Sequence, residues 1–186
     1  MKTLSRIGVI AAAFALLPAL VSAQGRTPRT DSAAVGGDVG LFRPSDDELE
    51  PALSLDGFYE YYWSPRTSLR LGLGWTNPEY DRDPEASVRH IRLGGDVIYN
   101  WEGGTVHPFV GAGLGVDIMD PRRNGDSLAD SESKIGGVLL GGAEIFTSNT
   151  VSVKGEISYH LISNVDDFGP ANPDGLKLTI GLKKYF

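Results

Sequence analysis

The part of the chain best suited to chemistry lies near its C-terminus, where His160 is followed by Ser163 and Asn164. A serine acts as a nucleophile when a histidine takes its proton and an acid orients that histidine. Ser163 comes three residues after His160, so the alternation of a β-strand would direct the two side chains to opposite faces. A polar loop that leaves a strand explains the same residues, and we expect no catalytic centre.

Metal ligation is the second chemistry to consider. No two of His90, His107 and His160 have the spacing of a metal site. Acidic residues cluster in polar segments, where they could bind divalent cations, although no cluster matches a calcium-binding loop. Loops kept soluble by charge explain the clusters more simply, so we expect neither a metal nor a cofactor. The clusters lie at 46–48, 81–85, 126–132 and 166–167.

The first 23 residues have the organisation of a secretory signal peptide. Lys2 and Arg6 precede an apolar run from 7 to 20, and a small-residue cleavage site ends at Ala23. The run is shorter than the roughly 20 residues that span a bilayer, so a membrane anchor is the weaker interpretation. Residues 24–33 read as a flexible lead. Cleavage would leave 15 basic and 24 acidic residues, and so acidic a chain would repel nucleic acid.

From residue 34 onward the hydrophobic pattern has a period of two, which is typical of β-strands. The alternation is clearest in 150–162, where Val151, Val153 and Ile157 share one face. Helical periodicity is not sustained anywhere, and the chain has no cysteine with which to build a disulfide framework. Eight strands are therefore predicted, roughly over 34–43, 52–63, 67–76, 87–101, 105–118, 134–147, 150–162 and 175–186.

The connections between these strands alternate between short and long. The short ones are 64–66, 102–104 and 148–149, and the long, polar ones are 44–51, 77–86, 119–133 and 163–174. An up-and-down barrel would place all short turns at one end and all long loops at the other, the asymmetry of outer-membrane barrels. An even number of strands also brings both termini to the short-turn end.

The same alternation would suit a soluble barrel with an apolar interior, so the direction of each face needs separate evidence. Glycines are frequent on the polar faces, and small residues suit the crowded interior of a narrow barrel. Aromatic residues gather near strand ends on the apolar faces, with Trp75 at the loop end, as at a membrane interface. We therefore predict an all-β fold for residues 34–186, an eight-stranded antiparallel up-and-down transmembrane β-barrel.

Charges of both signs fall on the predicted inner face, where they could neutralise one another in a narrow lumen. The predicted lumen charge network comprises Asp38, Asp56, Glu60, Arg70, Arg92, Asp96, Asp117, Glu144, Lys154, Glu156, Lys177 and Lys183.

The segment from Leu178 to Phe186 looks like the C-terminal strand of outer-membrane barrels, which ends in Phe with alternating apolar residues and a Gly before it. Gly181 and Phe186 are the predicted assembly signal, and the resemblance implies recognition by the barrel-assembly machinery. Lys184 departs from the pattern, because such signals usually carry an apolar or aromatic residue at that place. A lysine that extends its charged end to the interface is physically tolerable there.

More broadly, residues 24–186 resemble the small porin-like outer-membrane β-barrel domain family. The matching features are the signal peptide, the glycine-rich strand over 110–115, the strand over 155–160 and the terminal Phe186. The resemblance implies a place among outer-membrane lipid and lipopolysaccharide, whereas the family covers many roles. We expect a structural or surface-interaction protein with its lumen plugged by mixed charges, with the oligomeric state left open.

Three alternatives stay open: a narrow pore for ions or small solutes, a degenerate lipid A deacylase-like barrel, and a soluble periplasmic barrel. The second rests on a further resemblance, because the region from His160 to Gly175 is similar to the end of the outer-membrane lipid A deacylases. Those enzymes carry Ser two residues after His and a Glu early in the last strand. This chain departs from both features, with Ser163 one residue later and Lys177 near the place of the Glu.

Overall fold

The computed structural model describes residues 28–102, 104–128, 130–162 and 174–186. In these ranges no helix is long and apolar enough to cross a membrane. The strands are β1 (Ser32–Pro44), β2 (Ala52–Ser64), β3 (Thr67–Thr76), β4 (Glu79–Tyr80), β5 (Asp83–Asn100), β6 (Val106–Arg123), β7 (Asp126–Ser127), β8 (Glu132–Phe146), β9 (Val151–Ile162) and β10 (Gly175–Tyr185).

Eight of these strands close into an antiparallel barrel. The order around the barrel is β1, β2, β3, β5, β6, β8, β9 and β10, and β10 pairs back onto β1. A closed sheet gives every strand two neighbours, so no backbone edge is left without hydrogen-bond partners. The predicted all-β, eight-stranded antiparallel barrel is confirmed. The predicted signal peptide over residues 1–23 lies outside the described residues.

Two strands extend further than the sequence predicts. β5 begins at Asp83 and β6 ends at Arg123, within segments predicted as polar loops, and Ala86 pairs with Arg123 between them. The two-residue strands β4 and β7 pair with these extensions. The sequence lacks a period-two pattern here, because a hairpin beyond the membrane does not contact lipid and needs no apolar residue at every second position. We call this projecting sheet, residues 79–90 and 119–127, the hairpin extension.

The barrel is apolar outside and charged inside. The outward side chains of Leu71, Leu114 and Leu178 are 54%, 68% and 60% exposed, whereas Glu60 and Lys154 are 0% and 1% exposed. Hydrocarbon around the barrel is the environment that favours this arrangement, because water would favour its inverse. A soluble barrel with a dry apolar core is therefore excluded.

Aromatic side chains mark the two ends of the apolar belt. Trp75 lies outward near the loop end and is 38% exposed. A larger group lies outward near the short-turn end, where both the phenol and indole rings can meet the membrane interface. This group comprises Tyr59, Tyr61, Trp63, Tyr99, Trp101 and Phe186.

Candidate functional site

Glycines on the inner wall of the barrel provide the space that the charged side chains occupy. A Cβ atom on Gly181 would overlap the carboxylate of Asp38, and a Cβ atom on Gly113 would overlap that of Asp96. An eight-stranded barrel has just enough width for side chains, so each carboxylate needs space above its register partner on the adjacent strand. These inward glycines therefore belong to the charge network as its complementary surface.

One ion pair crosses the whole lumen. Arg70 of β3 donates from Nη1 to Glu156 of β9 at 2.6 Å. These strands lie on opposite sides of the barrel, with three strands between them in either direction. Arg70 also donates from Nε to Glu60 at 3.2 Å, and its guanidinium lies 4.7 Å from the centre of the Phe58 ring. The guanidinium is thereby held through Nε, through Nη1 and on its face, whereas its buried Nη2 atom has no hydrogen-bond partner among the described residues.

Lys154 extends this central cluster toward β1. Its Nζ atom lies 2.7 Å from Asp38 and 2.9 Å from Glu156. Asp96 lies directly opposite Arg70 in the register of β3 and β5. The central level thus joins carboxylates and bases from both halves of the barrel.

A second cluster fills the short-turn end. The Nζ atom of Lys183 lies 3.1 Å from Glu60, 3.0 Å from Glu144 and 3.0 Å from the hydroxyl of Tyr62. Tyr185 also donates its hydroxyl hydrogen to Glu144. The Tyr62 and Tyr185 rings pack with Ala34 and Phe146 into a buried apolar layer at this end. Both charged and aromatic side chains therefore fill the interior at this end.

A third cluster lies toward the loop end. Asp117 accepts from Arg92 at 2.7 Å and pairs with His90 at 2.8 Å. Lys177 of β10 lies 2.7 Å from Asp56 of β2, across β1. Between this cluster and the central one is a cavity of about 60 Å³. That volume holds a few water molecules and no large solute.

All twelve predicted network residues face the interior, and eleven of them take part in ion pairs within 4.0 Å. Asp96 is the twelfth, and it lies opposite Arg70 without an ion pair at that distance among the described residues. The prediction did not include His90 or the hydroxyls of Tyr62 and Tyr185. Both tyrosines could have been predicted from strand alternation. Tyr62 lies two residues after Glu60 and Tyr185 two residues after Lys183, so each shares the inner face with a network residue.

The interior is not wholly polar. Ile98, Phe109, Val138 and Leu140 form a buried cluster with exposures from 0% to 7%. Val138 and Leu140 break the polar face of their strand in the sequence, and the structure places both inside with these partners. Apolar side chains therefore share the interior with charged ones.

The candidate catalytic residues do not form a triad in the described part of the chain. His160 is 4% exposed, faces the lumen and pairs with the hydroxyl of Ser158 at 3.3 Å. Lys177, near the place of the expected Glu, pairs with Asp56. Ser163 and Asn164 lie outside the described residues. No group of three or more His, Asp or Glu side chains that could hold a metal occurs within those ranges.

Solved structures share this fold at low sequence identity. Neisserial surface protein A matches with a TM-score of 0.66 and 16% identity, over 83% of this chain and 96% of that one. The N-terminal β-barrel domain of Pseudomonas aeruginosa OprF matches with a TM-score of 0.60 and 16% identity, over 88% and 100% of the two chains. The outer membrane enzyme PagL matches with a TM-score of 0.51 and 18% identity, over 81% and 98%.

Among curated proteins, none matches the chain in sequence. The family model for the outer membrane protein beta-barrel domain matches residues 9–186, which is nearly the whole chain. The match agrees with the apolar exterior and with the closure of the sheet. This chain therefore belongs to the outer membrane protein beta-barrel domain family, and its place is the outer membrane.

Proposed function

We propose that this protein is a structural or surface-interaction barrel whose lumen is plugged by its own charges, so that it neither conducts ions nor catalyses a reaction. The observation that carries the proposal is the ion pair between Arg70 and Glu156, which spans the lumen from wall to wall. A permeating ion would have to separate this pair in a region that offers little water. Removing one partner from a buried pair is unfavourable by about 3–5 kcal/mol.

The plug has three levels rather than one. The Lys183 cluster lies below the central cluster, and the Asp117 cluster lies above it. The aromatic layer around Tyr62 and Tyr185 adds a fourth obstacle at the short-turn end. The 60 Å³ cavity lies between obstacles and would hold trapped water.

The same proposal covers two partners. Lipopolysaccharide would surround the loop end, and the barrel-assembly machinery would recognise the last strand with its terminal Phe186, which is 70% exposed. Gly181 is predicted as part of that signal, but glycine is also required there for packing, because a Cβ atom would overlap Asp38. A loss of assembly on substitution of Phe186 alone would support the recognition.

Conductance in planar bilayers tests the plug. The purified, refolded protein should leave the bilayer silent. A variant with Arg70→Ala and Phe58→Ala removes only the central crossing and should also stay silent, whereas the further addition of Arg92→Ala, Lys183→Ala and Tyr62→Ala, which removes the other obstacles, should give small conductance steps. Arg66→Ala is the matched control, because Arg66 is an exposed turn residue outside the lumen that forms an ion pair with Glu102. Steady conductance steps from the unaltered protein would overturn the proposal in favour of the narrow pore.

A lipid analysis tests the absence of catalysis. Mass spectrometry of lipid A from cells with and without the protein should show identical acyl chains. A missing acyl chain in the producing cells would establish a deacylase instead. The arrangement of Lys177 with Asp56 supports the first outcome, because a base occupies the region where the acid would be needed.

A further inference from the structure

The hairpin extension begins where the apolar belt ends. The last outward apolar residues of β5 and β6 are Ile91 and Ile118, and Trp75 stands beside Ile91 in the register of β3 and β5. Indole rings favour the level where acyl chains give way to headgroups. The outward residues immediately beyond Trp75 therefore lie at headgroup depth. Arg89 and Asp120, which pair in register, are the first of them.

A groove of about 600 Å³ opens on the outer side of this extension. Its volume lies in the range of small-molecule sites. Trp75 forms its membrane side, two arginines supply positive charge, and amide and hydroxyl groups supply neutral hydrogen-bonding atoms. The side chains that supply these features are Trp75, Arg89, Arg122, Asn77, Asn124 and Ser87.

The two arginines are fixed by a single carboxylate. Arg89 donates from Nη2 and Arg122 from Nε to the same oxygen of Asp120, at 2.6 and 2.9 Å. The other oxygen of Asp120 accepts from Ser127 at 2.8 Å. Two positive charges thus share the one negative charge of Asp120, while the carboxylates of Glu79 and Glu85 lie on the same groove. The buried Nε atom of Arg89 has no hydrogen-bond partner among the described residues.

This cluster keeps its charge at neutral pH. The hydrogen bond from Arg122 holds the pKa of Asp120, which lies beyond the apolar belt, below its usual range. A guanidinium does not deprotonate in proteins. An anion at headgroup level would therefore meet a fixed positive pair, and planar guanidinium groups suit phosphate oxygens.

Acidic residues in the groove narrow the ligand class. Glu79 and Glu85 also line it, and Glu85 accepts from Asn124 at 3.3 Å. Carboxylates repel a bare phosphate, whereas they accept hydrogen bonds from the hydroxyl groups of a sugar. The lining of the groove thus includes cationic groups that suit a phosphate, carboxylates that suit hydroxyl groups, and the indole ring of Trp75.

We propose that this groove binds the phosphorylated saccharide headgroup of an outer-leaflet lipid, with its phosphate on Arg89 and Arg122 and its sugar hydroxyls toward Glu79 and Glu85. The inference rests on the part of the proposed function that puts lipopolysaccharide beside the loop end. It does not depend on whether the lumen conducts.

Native mass spectrometry of the detergent-solubilised protein tests this site with three probes: diphosphorylated lipid A, the same lipid without phosphates, and phosphatidylglycerol. The unaltered protein should retain the diphosphorylated lipid in preference to both others. The double variant Arg89→Gln and Arg122→Gln should bind it at least about tenfold more weakly, because two charge-assisted hydrogen bonds are lost. Arg66→Gln, which removes the same kind of charge at the short-turn end, should bind as the unaltered protein does.

Equal binding by the double variant and the unaltered protein would overturn the site. Phosphatidylglycerol bound as tightly as diphosphorylated lipid A would overturn the saccharide part of the proposal. Circular dichroism of the double variant should match that of the parent, since both substitutions lie outside the barrel wall that spans the membrane. If the protein does not bind diphosphorylated lipid A but leaves the bilayer silent, the groove proposal is wrong and the plugged-lumen proposal stands. The two proposals can therefore fail independently.

Discussion

Alanine at position 181 would place a methyl group where Asp38 now fits. The added Cβ would overlap the Asp38 carboxylate and would lie 2.5 Å from the carbonyl oxygen of Gly37. The carbonyl belongs to the backbone of a paired strand and cannot move without breaking the ladder between β1 and β10. The Asp38 side chain must therefore leave its 2.7 Å ion pair with Lys154.

The expected loss of stability follows from these two contacts. Overfilling a packed interior is unfavourable by about 1–3 kcal/mol, and breaking a buried ion pair by about 3–5 kcal/mol. Displacement of Asp38 relieves its own overlap with the methyl group but leaves the 2.5 Å contact with the Gly37 carbonyl oxygen, so only part of the first term is recovered. We expect Gly181→Ala to lower the free energy of unfolding by about 3–5 kcal/mol.

Gly155→Ala is the matched control. Gly155 lies outward on β9, opposite Ile180 of β10, and a Cβ there would meet no atom within 4 Å. This variant should change the unfolding free energy by less than about 1 kcal/mol, through the conformational entropy of the unfolded chain. Urea unfolding in lipid vesicles, followed by tryptophan fluorescence, measures both values. Equal stability of the two variants would refute the claim that the inner wall is packed against its charges.

Three further predictions concern other levels of the molecule. Lys183→Met should lower the unfolding free energy by about 3–5 kcal/mol in the same assay, because two buried carboxylates lose their shared base; an unchanged value would show that water solvates them. Leu71→Arg, on the lipid-facing side, should be unfavourable by about 2–4 kcal/mol near the bilayer centre, and Leu128→Arg, in an exposed loop, by about 0–1 kcal/mol; similar losses at both sites would contradict the membrane position. Because the pKa of Asp120 is lowered by Arg122, its stabilising contribution is present above its ordinary pKa and is lost as the pH falls through the lowered value. The protection factors of the hairpin-extension amides, which are corrected for the pH dependence of intrinsic exchange, should therefore stay constant from pH 7 to pH 5, and lower protection at pH 5 would argue against the cluster.

The barrel could be predicted from the sequence because each transmembrane strand has one side in lipid. Lipid requires apolar residues at every second position, and the resulting pattern marks strands such as β9 and β10 within one residue of their observed bounds. The same requirement stops at the membrane surface. The start of β5 and the end of β6 pair outside it, so their polar residues carry no period that distinguishes a strand from a loop.

Parity also places the charged residues inside, but it does not choose their partners. Arg70 has Glu60 and Asp96 beside it in the register of its neighbours, yet its shortest ion pair joins Glu156 on the opposite wall. That choice depends on barrel width and on the path of a long side chain, which no one-dimensional pattern records. The groove beyond Trp75 could not be predicted from the sequence either, because it is formed by the hairpin extension, whose polar residues show no strand pattern.

A double-mutant cycle between Arg70 and Glu156 tests the filled lumen most directly. Arg70→Met and Glu156→Gln are made singly and together, and the free energy of unfolding is measured in lipid vesicles. If the pair bridges a nearly dry lumen, each single variant loses about 3–5 kcal/mol and the double variant loses far less than their sum. We predict a coupling energy of at least about 1.5 kcal/mol, whereas additive losses, with coupling near zero, would mean that the two charges are separately solvated and that the lumen is open to water.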